Sequence, residues 1–114
     1  MKRRFKLSTF DWEAIVEIDE AHSETAPSIK MMVEFWMGWE ERVEHHDGNY
    51  TAAFLEQLGK KLIRLSMEMD KREIINELAE SEGWLRLDGS HGITVCEVEQ
   101  FVIDDDIKFR EVRP

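Results

Sequence analysis

Residues 4–18 contain two short runs in which apolar and polar side chains alternate in opposite phase. That relation restricts the fold more than any other feature of the chain. Phe5, Leu7 and Thr9 alternate with Arg4, Lys6 and Ser8; Trp12, Ala14, Val16 and Ile18 alternate with Glu13, Ile15 and Glu17. A period of two marks a strand with one buried face. An even-length connection around Thr9–Phe10 folds the runs into a hairpin whose two apolar sets share one face. The same register sets Arg4 and Lys6 near Glu13 and Glu17 on the outer face, where opposite charges attract.

After residue 24 the period changes to that of a helix. Thr25 is a plausible N-cap and Pro27 is tolerated in a first turn, so one helix is expected from about Ala26 to His46. On a wheel of 100° per residue, Ile29, Met32, Val33, Phe35, Trp36, Met37, Trp39 and Val43 cover an arc of roughly 200°, wider than an ordinary surface helix shows. Lys30, Glu34, Gly38, Glu41 and His45 take the opposite side. Asp47-Gly48-Asn49 is a turn, with Asn49 able to cap a second helix from about Tyr50 to Met69. Glu56, Gln57, Lys60, Lys61, Arg64 and Glu68 form its polar side. Asp70 with Glu73 reads as a capping box for a short third helix that Gly83 would end.

Trp84 to Leu87 reads as a short strand or an ordered loop, and Asp88-Gly89-Ser90-His91-Gly92 as a turn. Strands are expected over Ile93–Phe101 and Ile107–Val112, with Glu97 and Glu99 facing Lys108 and Arg110. The order β-β-α-α-(α)-β-β describes an α+β fold. Its antiparallel sheet comes from N- and C-terminal strand pairs and is covered on one face by helices. At 114 residues the chain fits a single domain, 1–114, able to bury a core unaided.

Charge narrows the function classes. The formal net charge is -10, and Lys2, Arg3, Arg4 and Lys6 are four of only 15 basic residues, set against 25 acidic ones. Such a surface repels phosphate backbones and anionic bilayers, so neither a nucleic acid nor a membrane is an expected partner. Cys96 is the only cysteine, which rules out an intrachain disulfide and fits a reducing, cytoplasmic setting. On an alternating strand with Val98 it reads as a small buried hydrophobe.

The chemical motifs are weak. His45-His46-Asp47 is a poor metal site, because adjacent helical residues point about 100° apart. Asp104-Asp105-Asp106 lacks the alternating ligands and glycine of a calcium loop. No metal or other cofactor is expected. Ser90 and His91 are explained as turn residues, and no phosphate-cradling glycine loop or nucleophile elbow is present. Whether the protein is an enzyme is left open, with the balance against catalysis.

Phe35-Trp36, Arg42, Gly83-Trp84 and Asp88-Gly89-Ser90-His91-Gly92-Ile93 give the chain a resemblance to an uncharacterised bacterial family known as a domain of unknown function. The resemblance extends over most of the chain. It implies an origin in bacteria or their mobile elements, and no activity, cofactor or site residue.

The residues themselves therefore carry the functional expectation. It is a non-catalytic interaction or accessory protein, homodimeric through Met32, Phe35, Trp36, Trp39 and Val43, because so wide an apolar arc exceeds what a small sheet and one neighbouring helix can cover. Another protein is the other possible partner. The alternative is a small-molecule-binding protein or enzyme with a pocket at Trp84, Asp88 and His91.

Overall fold

The computed structural model describes residues 1–9, 11–101 and 110–111. The two alternating runs form β1 (Lys2–Thr9) and β2 (Trp12–Asp19), paired antiparallel with Thr9 opposite Trp12, Leu7 opposite Ala14 and Phe5 opposite Val16. The apolar sets share one face, as the alternation requires. On the other face Arg4 Nε lies 3.1 Å from Glu17 and Lys6 Nζ 3.3 Å from Glu13, the pairing expected from the register.

The chain then builds α1 (Thr25–Glu34), α2 (Trp39–His45), α3 (Tyr50–Leu65) and α4 (Lys71–Glu80), and returns to the sheet as β3 (Ile93–Val98). The strand order is β1-β2-β3, all antiparallel, so β2 is central. Its inward side chains Trp12, Ala14, Val16 and Ile18 are buried. Ile29, Met32 and Val33 of α1, Phe54, Leu58 and Leu62 of α3, and Ile74 and Leu78 of α4 complete the core over that face. The architecture is α+β. The strand expected over Ile107–Val112 falls mostly outside the described residues, as does Lys108; Arg110 and Glu111 are described and are not in a strand. Glu99, expected to face a cation, instead accepts from the Glu13 backbone N–H at 2.8 Å.

Two local expectations are corrected by β3. It ends at Val98 rather than Phe101, and it is bulged. Val16 pairs with Val95, but Ile15 pairs with Glu97, so Cys96 is an extra residue with no partner on β2. The bulge lets Val95 and Val98, three apart, both serve the inward face, and it leaves Cys96 half-buried rather than buried. Trp84–Leu87 is a loop that runs beside β3, tied by the Val95 N–H to the Leu87 carbonyl at 2.9 Å.

Helix starts follow the caps with one exception. Asn49 accepts from the Ala52 N–H, and Asp70 with Glu73 forms the full capping box. Thr25 does not cap: its hydroxyl donates to the Asp19 carbonyl at 2.6 Å, and Glu24 occupies the N-cap position without a side-chain bond. The boundary at Gly83 also moves, because α4 already ends at Glu80.

The main correction concerns the long first helix, which is two. The helix stops after Glu34, and Gly38 adopts a left-handed φ of 82° before α2 begins at Trp39. Glycine tolerates that conformation where a Cβ would crowd the backbone. The carbonyls released at the break are taken by Arg42, whose Nη1 donates to Met37 O at 2.9 Å and Nη2 to Trp36 O at 3.3 Å. The wheel hid this corner because the apolar spacing continues through it. The wide arc is thereby divided: α1 delivers Met32 and Val33 to the core, α2 delivers Val43, and Phe35-Trp36-Met37 are left at the corner.

A Cβ on Gly38 would meet nothing nearer than Arg42 Nη1 at 3.5 Å, so the penalty there is conformational alone. Gly38→Ala is expected to lower stability by about 1–2 kcal/mol, read as a lower urea midpoint with an unchanged slope.

Candidate functional site

The corner between α1 and α2 projects as an apolar knuckle. Of the six large apolar side chains exposed among the described residues, four fall within residues 31–37: Met31 at 42%, Phe35 at 49%, Trp36 at 37% and Met37 at 97%. Single exposed apolar residues are ordinary, but a contiguous group marks a contact surface. The Phe35 ring meets Trp36 edge-on, centroids 4.9 Å apart, and Trp36 leans on Trp84 at 6.4 Å. Beneath them Gly83, with φ of 79°, lets the backbone pass under the rings: a Cβ there would lie 2.8 Å from both Phe35 Cε1 and Trp36 Cζ2. A shallow recess of about 520 Å³ adjoins the knuckle and is walled by residues 34–41, Trp39 among them.

Of the five residues expected at an interface, Phe35 and Trp36 are exposed at this corner and Trp39 is half-buried, its ring 6.2 Å from Tyr50. Met32 and Val43 lie in the protomer's own core, since the helix break turns their faces inward. Tyr50 also donates its hydroxyl to Glu34 at 2.6 Å, joining the end of α1 to the start of α3. That carboxylate acceptor pushes the tyrosine pKa up.

On the other side of Trp36 a cleft of about 580 Å³ opens between α2 and α3. Residues 53, 56, 57, 60, 61 and 64 of α3 line it, a stripe at helical spacing, with Glu41, Arg42 and His45 opposite and Trp36 and Trp84 at one end. Four cations and two carboxylates give the lining an excess of two positive charges, in a chain whose net charge is -10. Gln57 Nε2 donates to the Met32 carbonyl at 3.1 Å, near the end of α1. Its Oε1 is buried with no hydrogen-bond partner among the described residues. The amide cannot turn over to satisfy it, because Oε1 would then face a carbonyl oxygen.

The pocket residues proposed from sequence separate. Trp84 is buried and joins the cleft, whereas Asp88 and His91 are not among its walls. Asp88 accepts from the Ser90 hydroxyl at 2.6 Å and the Ser90 N–H at 3.0 Å, and these two bonds, the hydroxyl first, hold its carboxyl below the usual range. His91 Nδ1 lies 3.7 Å from Glu24. Sequence reasoning saw Gln57, Lys60, Lys61 and Arg64 only as a solvated helix face. The available signal was their bias: Lys60, Lys61 and Arg64 fall close together in a chain whose net charge is -10.

Among the described residues no group of three or more His, Cys, Asp or Glu side chains is placed to hold a metal ion, and no helix is long and apolar enough to cross a membrane. The His45 and His46 rings meet edge-on, their planes 82° apart and centroids 5.2 Å apart, and His46 Nε2 turns to Glu56 at 2.6 Å.

That His46 bond, followed by attraction to Lys60, holds the Glu56 carboxyl below its usual range against the opposing effect of burial. A depressed carboxyl stabilises the fold above its unfolded-state pKa, and the contribution disappears as pH falls through the folded-state value. Wild type is therefore expected to melt above Glu56→Gln at neutral pH, with the gap closing in the acid range; Tm against pH for the two proteins measures it. Gly83→Ala is expected to cost more than Gly38→Ala in the same urea experiment, because it adds a steric clash to the left-handed penalty.

Comparison with known proteins finds relatives by sequence. The family model DUF2528, described as a protein of unknown function, matches residues 13–109. The chain is 29% identical over 104 residues to "Protein ea10" of Escherichia phage lambda, and equally to "Lambda prophage-derived protein ea10" of Escherichia coli O6:H1. Each match covers 84% of this chain and 84% of the relative. No solved structure matches.

Proposed function

We propose that this chain, which belongs to the DUF2528 family, is a non-catalytic accessory protein that works by association, and that the partner at its apolar corner is a second copy of itself. The observation that carries the reading is the concentration of Phe35, Trp36 and Met37 at a corner that also holds its own recess. Knob and hole come from the same short segment, residues 34–41. In a two-fold contact each knuckle enters the partner's recess, so every contact is made twice.

Size sets a requirement on such a contact. A stable interface needs about 800 Å² from each partner. Three large side chains supply part of that area, and the recess walls with Met31 and Trp39 extend it. Met32 and Val43 serve this surface from below by fixing α1 and α2 in the core. Glu34, Glu40 and Glu41 at the rim oppose association at low salt, so screening is expected to strengthen the dimer. The lone half-buried thiol of Cys96 fits a reducing, cytoplasmic setting.

Met37 is 97% exposed, so Met37→Asp alters the contact and leaves the core alone. Light scattering at micromolar concentration is expected to show a dimer for wild type and a 13.5 kDa monomer for the variant, with unchanged circular dichroism. An unpaired carboxylate buried in an interface costs about 3 kcal/mol, a weakening on the order of a hundredfold. A wild-type protein that remains monomeric overturns the proposal.

A further inference from the structure

We infer that the cleft between α2 and α3 binds a small planar anion: an aromatic ring carrying a phosphate or carboxylate group together with an N–H or O–H donor. Each part of that description comes from a different observation. The cleft volume, about 580 Å³, falls within the range of ~300–1,000 Å³ that small-ligand sites occupy.

The anionic group follows from charge. The chain as a whole carries a net charge of -10, but the cleft lining has an excess of positive charge, and a concave surface of one sign concentrates the opposite ion. The ordinary explanation, cations on a helix neutralised by neighbouring carboxylates, accounts for Lys60, which lies 3.5 Å from Glu56. It does not account for Lys61 or Arg64, neither of which has a carboxylate within ion-pair distance among the described residues, although Arg64 Nε donates to the Lys60 carbonyl at 3.4 Å. Arg42 is committed to the corner carbonyls. Lys61 and Arg64 are therefore the groups that receive the anion.

The ring follows from the end wall. Trp36 and Trp84 meet at 49°, and Trp36 remains partly exposed, offering an indole surface for stacking. The donor follows from Gln57. Its Oε1 is a buried acceptor with no hydrogen-bond partner among the described residues, and a donor on the ligand would meet that unmade bond. Lys61 lies one helical turn, ~6 Å, beyond Gln57 along α3, a span suited to a ring with its anionic substituent.

Calorimetric titration tests this with three probes: adenosine 5′-monophosphate for the ring with phosphate, anthranilate for the ring with carboxylate, and inorganic phosphate as the ringless control. Saturable binding of one or both ring-bearing probes, shifting two of the four tryptophan indole N–H resonances, is the expected result, and which probe binds identifies the anionic group. Lys61→Gln with Arg64→Gln is expected to weaken binding roughly tenfold, and raised salt to weaken it further. Lys61→Gln alone, one half-exposed position, gives a milder variant with the same expected direction. Failure of both ring-bearing probes to bind at millimolar concentration overturns the inference. So does equal affinity for inorganic phosphate, or unchanged affinity in the double variant.

Discussion

The inward face of β2 is the surface on which the rest of the molecule depends. Trp12, Ala14, Val16 and Ile18 are buried while their neighbours on the strand are only partly covered. As the central strand it is paired on both edges, by β1 and β3, so its backbone hydrogen bonds are met while this face is buried. The helices then have one place to bury their apolar stripes. Trp12 also carries a polar tie: its indole N–H is shared between the Ser66 hydroxyl at 3.1 Å and the Glu99 carbonyl at 2.8 Å. That single group joins the end of α3 to the segment after β3, and its burial without those acceptors would be costly.

Packing α1 and α3 on that face leads to the corner. A continuous helix from residue 25 to 45 would carry α2 away from α3. Turning the chain at Gly38 allows Val43 to reach the core and allows the His46–Glu56 bond to close α2 onto α3. The turn exposes Phe35, Trp36 and Met37 as a consequence, and Arg42 satisfies the carbonyls it releases. The knuckle, the recess and the cleft are three sides of one bend. Trp36 stands between them, with Gly83 making room for the rings from below.

Charge and packing act on different scales here. The acidic surface sets the long-range field, whereas the cleft depends on a handful of cations brought to one side of α3. Those cations occupy positions that any solvated helix face could hold. What distinguishes them is the neighbouring helix and the two tryptophans, which turn an open face into a wall.

The β1–β2 hairpin, its register and its cross-strand ion pairs were all legible in the sequence, because alternation with a period of two and a tight connection leave one arrangement that buries both apolar sets. The caps at Asn49 and Asp70 were legible for the same local reason: each needs only residues within one turn. The break at Gly38 was not, since apolar spacing persisted through it and a glycine inside a helical pattern is tolerated; only the need to bring Val43 to the core and Arg42 to the Trp36 and Met37 carbonyls selects the bend. The bulge at Cys96 likewise depends on β2, which demands Val95 and Val98 on one face. Trp84, Asp88 and His91 are grouped in the sequence only by proximity in the chain, whereas the residues that share a wall with Trp84, Trp36 and the cations of α3, are 20 or more positions away. Sequence determined the elements whose partners are near neighbours. Tertiary structure decided which side chains from distant elements share a wall, because that depends on how the helices settle on the sheet.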